Sequence, residues 1–199
     1  MPRSIPLTAK IIAGVGIPVA LVASGLVVST ASYSAFSATT ANPTSNWSTG
    51  TVSLTDDDAN TALFTATNLK PGSTGTNCIT VTSNGSLASA VKLYGTAPST
   101  TNALSSYVTL TVLQGTGGGF GSCSGFTPLS TNGTLYSGTL AAFGSGSSNY
   151  ATGIGTWTPT GATPESRVYQ VTYTVASSTP NTAQAGSAAL GLTWEAQNS

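Results

Sequence analysis

Alternation of apolar and polar side chains with period two runs through most of the chain beyond residue 48. It is cleanest at 167–176, where Tyr169, Val171, Tyr173 and Val175 alternate with Gln170, Thr172 and Thr174. One side of such a strand faces a core and the other faces water. The same period, bounded by clusters of Gly, Ser, Thr, Asn and Pro, predicts strands at 49–55, 61–67, 77–83, 87–95, 106–113, 134–143, 167–176 and 188–196. Two turns punctuate the first half. In Lys70-Pro71-Gly72, Pro71 fixes φ and Gly72 is free to take a positive φ, so the chain is expected to reverse there. Asn84-Gly85-Ser86 is a second turn signal, after which Leu87 to Tyr94 resumes the strand pattern. No stretch outside the N-terminal apolar segment has helical period. About eight half-apolar strands with long crossover loops predict an all-β, antiparallel two-sheet sandwich of jelly-roll type. A fibronectin-like or immunoglobulin-like sandwich is the alternative, and the lack of a Cys-Trp-Cys spacing counts against the second of these.

The pattern is different at the start. Arg3 and Lys10 precede an uncharged apolar run from Ile11 to Val28, and small residues follow at Ser29, Ala31, Ser32 and Ser34. This is the order of a signal peptide. Ser32 and Ser34 suit the −3 and −1 positions of a cleavage site, which starts the mature chain at Ala35; cleavage after Ala31 is the alternative. The run is also just long enough to cross a bilayer, at about 18 residues, so a retained anchor is the competing reading, weakened by Pro18 and the interior glycines and serines. The expected organisation is a signal peptide over 1–34, an arm over 35–48 and a β-sandwich domain over 49–199. The arm carries Phe36 and Trp47, and Pro43 bars a central paired strand through that point.

Composition narrows the class. Only 5% of the 199 residues are charged, so hydroxyls and amides must cover most of the surface, as suits an extracellular β-protein. Without the signal, Lys70, Lys92 and Arg167 face Asp56, Asp57, Asp58, Glu165 and Glu195, a net charge of about −2. No basic patch is available to neutralise phosphates, which excludes nucleic acid as an expected partner. The glycine-rich stretches 115–125 and 144–155 match no phosphate-binding motif and are expected to be loops.

Three regions carry a family resemblance. The stretch Leu63 to Gly95 reads strand, Asn-Leu-Lys-Pro-Gly, strand, Asn-Gly-Ser-Leu-Ala, strand. Near the start stand Tyr33-Ser34-Ala35-Phe36-Ser37 and Gly50-Thr51-Val52-Ser53-Leu54, and near the end Gln184-Ala185-Gly186 followed by Leu190-Gly191-Leu192-Thr193-Trp194-Glu195-Ala196. These resemble the TasA/camelysin family of secreted bacterial matrix-fibre proteins, whose export signal is cut by a dedicated signal peptidase. Residues 98–165 carry no such match. The resemblance implies secretion, a place at the cell surface or in the extracellular matrix of a biofilm, and filaments in which the arm freed by cleavage completes the sheet of a neighbouring subunit. Ala35, Phe36 and Trp47 are the arm residues onto which that role falls.

Cys78 and Cys123 are the only cysteines. In an exported chain a disulfide between them is expected, with free or intermolecular thiols as the alternative. The chain has no histidine, which removes His-Glu-x-x-His zinc sites, Ser-His-Asp triads and Cys-His dyads. The peptidase label attached to camelysin-type relatives therefore finds no residues to carry it. Glu165 and Glu195 are the only glutamates for a glycosidase pair, but Glu195 alternates with Trp194 and reads as a solvated face residue. Asp56-Asp57-Asp58 reads either as a calcium site or as a turn at a strand end, and the turn is preferred because consecutive side chains point apart. The expectation is a non-enzymatic, cofactor-free structural protein whose partners are copies of itself or related matrix subunits, with membrane contact only through an uncleaved signal. The rival is a monomeric surface-binding module whose long loops recognise a glycan or a protein; glycan binding would favour exposed loop aromatics such as Phe120, Phe126 or Trp157.

Overall fold

The computed structural model describes residues 49–162 and 164–198. The expected export signal, the cleavage point at Ser34 and Ala35, and the arm residues Phe36 and Trp47 lie outside these residues. Nine strands are described: β1 (Leu54–Asp56), β2 (Thr74–Ser83), β3 (Ser89–Thr100), β4 (Val108–Thr116), β5 (Thr127–Pro128), β6 (Thr134–Thr139), β7 (Ile154–Trp157), β8 (Glu165–Val175) and β9 (Ala188–Asn198), with one short helix, α1 (Leu140–Gly146), between β6 and β7. All strand pairs are antiparallel. One sheet has the order β1-β2-β8-β4-β5, with β6 also paired to β4; the other has the order β7-β3-β9. The all-β antiparallel sandwich is thus as expected, divided six strands to three. This division does not by itself establish jelly-roll wiring.

Alternation explains which side chains meet between the sheets. On β2, Ile79 and Val81 point inward; on β8, Tyr169 and Val171; on β4, Leu110 and Val112; on β3, Val91 and Leu93. Each of these is at most 4% exposed. Burying a side chain of this size contributes about 1.5–3 kcal/mol, so these four strand pairs dominate the stability of the sandwich. The outward positions of the larger sheet are mostly threonines, and cross-strand hydroxyls pair at Thr74–Thr174 (3.1 Å) and Thr76–Thr172 (2.9 Å).

Several expectations are corrected. Residues 61–67 form no strand. Their alternation serves to seat Phe64 edge-on against Tyr173 at 5.1 Å, while the Asn77 side chain, not a ladder, holds the segment through Leu63 O at 2.9 Å. Of the expected first strand, 49–55, residues 49–53 form no strand, and the observed β1 covers only Leu54–Asp56.

The strand expected at 134–143 stops at Thr139, whose hydroxyl accepts the Ala142 N–H at 3.1 Å and caps α1. A helix of seven residues containing two glycines is too short to show a period. It forms because it buries Phe143 completely, edge-on to Tyr136 at 4.9 Å. The glycine-rich stretch 144–155 is accordingly only partly loop, since it ends α1 and begins β7.

The turn at Lys70-Pro71-Gly72 is present, with Gly72 at φ +83° and the Ser73 N–H bonded to Lys70 O at 2.9 Å. The turn at 84–86 does not make a hairpin, because β2 and β3 belong to different sheets. Gly85 passes so close to residue 51 that a Cβ there would lie 2.6 Å from Thr51 O, so only glycine fits this crossing.

Candidate functional site

Cys78 and Cys123 are joined, with their Cα atoms 5.2 Å apart. Cys78 sits on the outer face of β2, between the inward Asn77 and Ile79 positions, and is fully buried because the glycine-rich loop after β4 folds over it. Asp57 fixes the same loop from the side: its Oδ1 accepts the Thr80 N–H and its Oδ2 the Phe120 N–H, both at 2.8 Å. The other two carboxylates serve their own turn, Asp58 accepting from Asn60 N–H at 2.6 Å and Asp56 from Asp58 N–H at 3.4 Å. Burial, and then the neighbouring Asp58, push the Asp56 carboxyl above its ordinary value. The three side chains point at separate backbone donors. Among the described residues no three His, Cys, Asp or Glu side chains gather as metal ligands.

Glu165 and Glu195 are not brought together. Glu165 starts β8 in the larger sheet and accepts from the Thr160 N–H and hydroxyl, the latter at 2.7 Å; these bonds lower its pKa. Glu195 lies on the outer face of the smaller sheet, opposite Trp194, which packs on the core. Its Oε1 accepts from Gln197 Nε2 and its Oε2 from the Tyr94 hydroxyl, both at 2.8 Å. These two donors, Gln197 first, hold the Glu195 carboxyl below its ordinary value, and the Tyr94 hydroxyl is raised by the same bond. Lys92, opposite Glu195 in the register, donates to Gly155 O at 2.9 Å.

The loop aromatics expected to meet a glycan are otherwise employed. Trp157 is in β7, 4% exposed, with the Arg167 guanidinium 5.8 Å from its ring centroid. Phe120 packs against the core, and Phe126 is half-buried. Arg167 itself alternates with Tyr169 and Val171 on the inner side of β8, and its Nε has no hydrogen-bond partner. Sequence reasoning also missed Gln114, the fourth inward position of β4 after Val108, Leu110 and Val112. It is 1% exposed, and its Nε2 donates to Asn132 O at 2.8 Å and to the Thr156 hydroxyl at 2.9 Å, tying β4 to the β5–β6 turn and to β7. The only signal was a polar residue continuing an apolar alternation.

Strand edges form the remaining feature. Along β2 beyond its short pairing with β1, Asp57 occupies the Thr80 N–H and the Asn77 Oδ1 accepts the Cys78 N–H at 3.0 Å. β5 has two residues and ends in Pro128, β7 has four residues and a register shift, and β6 has six and leads straight into α1. β9 is longer than any of these, although its register with β3 also shifts once, between Thr96 and Ser99. It is eleven residues long, pairs only with β3, and contains no buried residue. Leu192, Trp194 and Ala196 on its inner side pack against the core yet remain half-exposed, and the Trp194 Nε1 has no partner.

No protein-family model matches the chain, and a search of curated proteins finds no match. Among the described residues no helix is long and apolar enough to cross a membrane. What the molecule itself defines is a disulfide-bonded, all-β antiparallel sandwich.

Proposed function

We propose that this protein is a secreted, non-enzymatic structural subunit of the bacterial cell surface or extracellular matrix, which assembles with further copies through its N-terminal arm. The observation that carries the reading is the open edge of β9. An eleven-residue strand with one charged side chain offers unpaired N–H and C=O groups to an incoming strand, next to apolar side chains that a further strand would cover. The resemblance to the TasA/camelysin family, carried by the stretches at 33–37, 50–54, 63–95, 184–186 and 190–196, supports the same reading and supplies the donor, Ala35 to Asn42 with Phe36 as anchor. Pro43 ends the pairable portion. The disulfide supports an oxidising destination, and the absence of histidine supports a non-enzymatic role.

Comparing the mature protein with a form lacking Ala35 to Asn42 tests this. Both forms should melt alike, while sedimentation shows larger species only for the intact arm. Burial of the Phe36 ring is worth about 1.5–3 kcal/mol per contact, enough to separate the two forms by roughly tenfold or more in concentration. Two monomeric forms at every concentration would sink the proposal.

A further inference from the structure

We propose that the outer face of the three-stranded sheet binds a neutral polysaccharide. Leu93 turns into the core at 1% exposure, so its neighbour Tyr94 stands on the outer face. The Tyr94 hydroxyl donates to Glu195 Oε2 at 2.8 Å, which fixes the ring's orientation on the sheet. By alternation and register the same face carries the Glu195 carboxylate with lone pairs to spare, the Gln197 carboxamide oxygen, Lys92 with two remaining donor hydrogens, and the hydroxyl pair of Thr96 and Thr193 at 3.3 Å.

A sugar ring presents a C–H face that stacks on an aromatic ring and a rim of hydroxyls that each donate and accept. It is recognised by one flat ring set among fixed donors and acceptors. Here those groups are already tied to one another, so little side-chain freedom remains to be lost on binding. Lys92 stands opposite Glu195 in the β3–β9 register, so the face carries one charge of each sign and favours neither a polyanion nor a polycation. The outer face of the larger sheet has the hydroxyls, such as Thr76 and Thr172, but neither the ring nor the charged pair. Binding is independent of the arm. In an assembly the face recurs once per subunit, and repeated weak contacts along one polysaccharide chain reinforce each other.

Native electrophoresis of the secreted protein through gels containing hydroxyethyl cellulose, galactomannan or soluble starch, with alginate as the anionic comparison, tests the proposal. The protein should be slowed by at least one neutral polymer. Tyr94→Ala and Glu195→Gln should each weaken that retardation roughly tenfold, Tyr94→Phe should keep most of it, and Thr76→Ala on the other sheet should match wild type. Absence of retardation in every neutral gel overturns the proposal, as does retardation by alginate alone or retardation that survives Glu195→Gln unchanged. Melting curves identify any variant that fails to fold, and Glu195→Gln, which keeps the shape of the side chain, decides the matter if Tyr94→Ala is lost. The arm-deleted form should still be slowed, so failure of assembly and failure of sugar binding are read separately.

Discussion

Glu165 and Glu195 are half-exposed, and each carboxylate is held by two donors, the Thr160 N–H and hydroxyl in one case and Gln197 with Tyr94 in the other. Both have pKa values lowered from the ordinary 4.5. A carboxyl whose pKa is depressed in the folded state adds stability above its unfolded pKa, and that stability is lost as pH falls through the folded value. Asp56 acts in the opposite sense, because its raised pKa makes protonation favour the fold. Two groups against one predict that the melting temperature falls as the pH drops below about 4.5, and that Glu165→Gln with Glu195→Gln flattens this dependence. Melts at a series of acidic pH values check the sign; a curve that rises on acidification would mean that Asp56 dominates. The effect is small because solvent and salt screen carboxylates this close to the surface.

At the scale of elements, α1 is the clearest case of packing overriding local pattern. Phe143 is wholly buried against Tyr136 and is the reason a glycine-containing segment coils. Phe143→Ala should cost about 3–5 kcal/mol, measured by denaturant unfolding, since it leaves a cavity that the surrounding strands fill only partly. The long strands were legible because one face of each is apolar: β8 reads directly from Tyr169 to Val175, and the Pro71-Gly72 turn reads from backbone chemistry alone. The segment at 61–67 was misread because alternation shows which side chains are buried, not whether a ladder exists. There the Cys78 N–H bonds the Asn77 side chain, a local bond that competes with pairing. The two short strands β5 and β7 carry too few residues to show any period. Of the site, the Cys78–Cys123 pair and the outward position of Glu195 could be read from count and alternation. The reach of Asp57 to Thr80 and Phe120 could not, because it depends on a loop folding back over β2 from far along the chain.

Across the whole molecule, the disulfide and β9 act in different ways. The disulfide closes a separation of 45 residues and holds the glycine-rich loop on the outside of the larger sheet. Loop-closure entropy puts its contribution at roughly 4 kcal/mol, so reduction should lower the melting temperature by on the order of 10 °C without disturbing the core. Melts with and without reductant measure this. β9 contributes to stability on one side only, through β3, and its other side is the longest unguarded edge among the described residues. Natural edges are commonly blunted by lysine, proline, a bulge or brevity. β9 has neither lysine nor proline, and the Glu195 carboxylate is turned to the sheet face and held by Tyr94 and Gln197. Ala189→Lys combined with Thr193→Lys supplies the missing guard at two outward positions, the exposed Ala189 and the half-buried Thr193, whose hydroxyl meets that of Thr96 at 3.3 Å. The double variant should melt within a few degrees of wild type, because a substitution at the exposed Ala189 changes stability by only about 0.5 kcal/mol and Thr193 gives up a single long hydroxyl contact. It should also stay monomeric in sedimentation at concentrations where the unaltered protein forms larger species. Assembly that persists undiminished in the double variant would place the acceptor edge elsewhere, on β6 or on the free half of β2, and would separate the role of the arm from the role of β9.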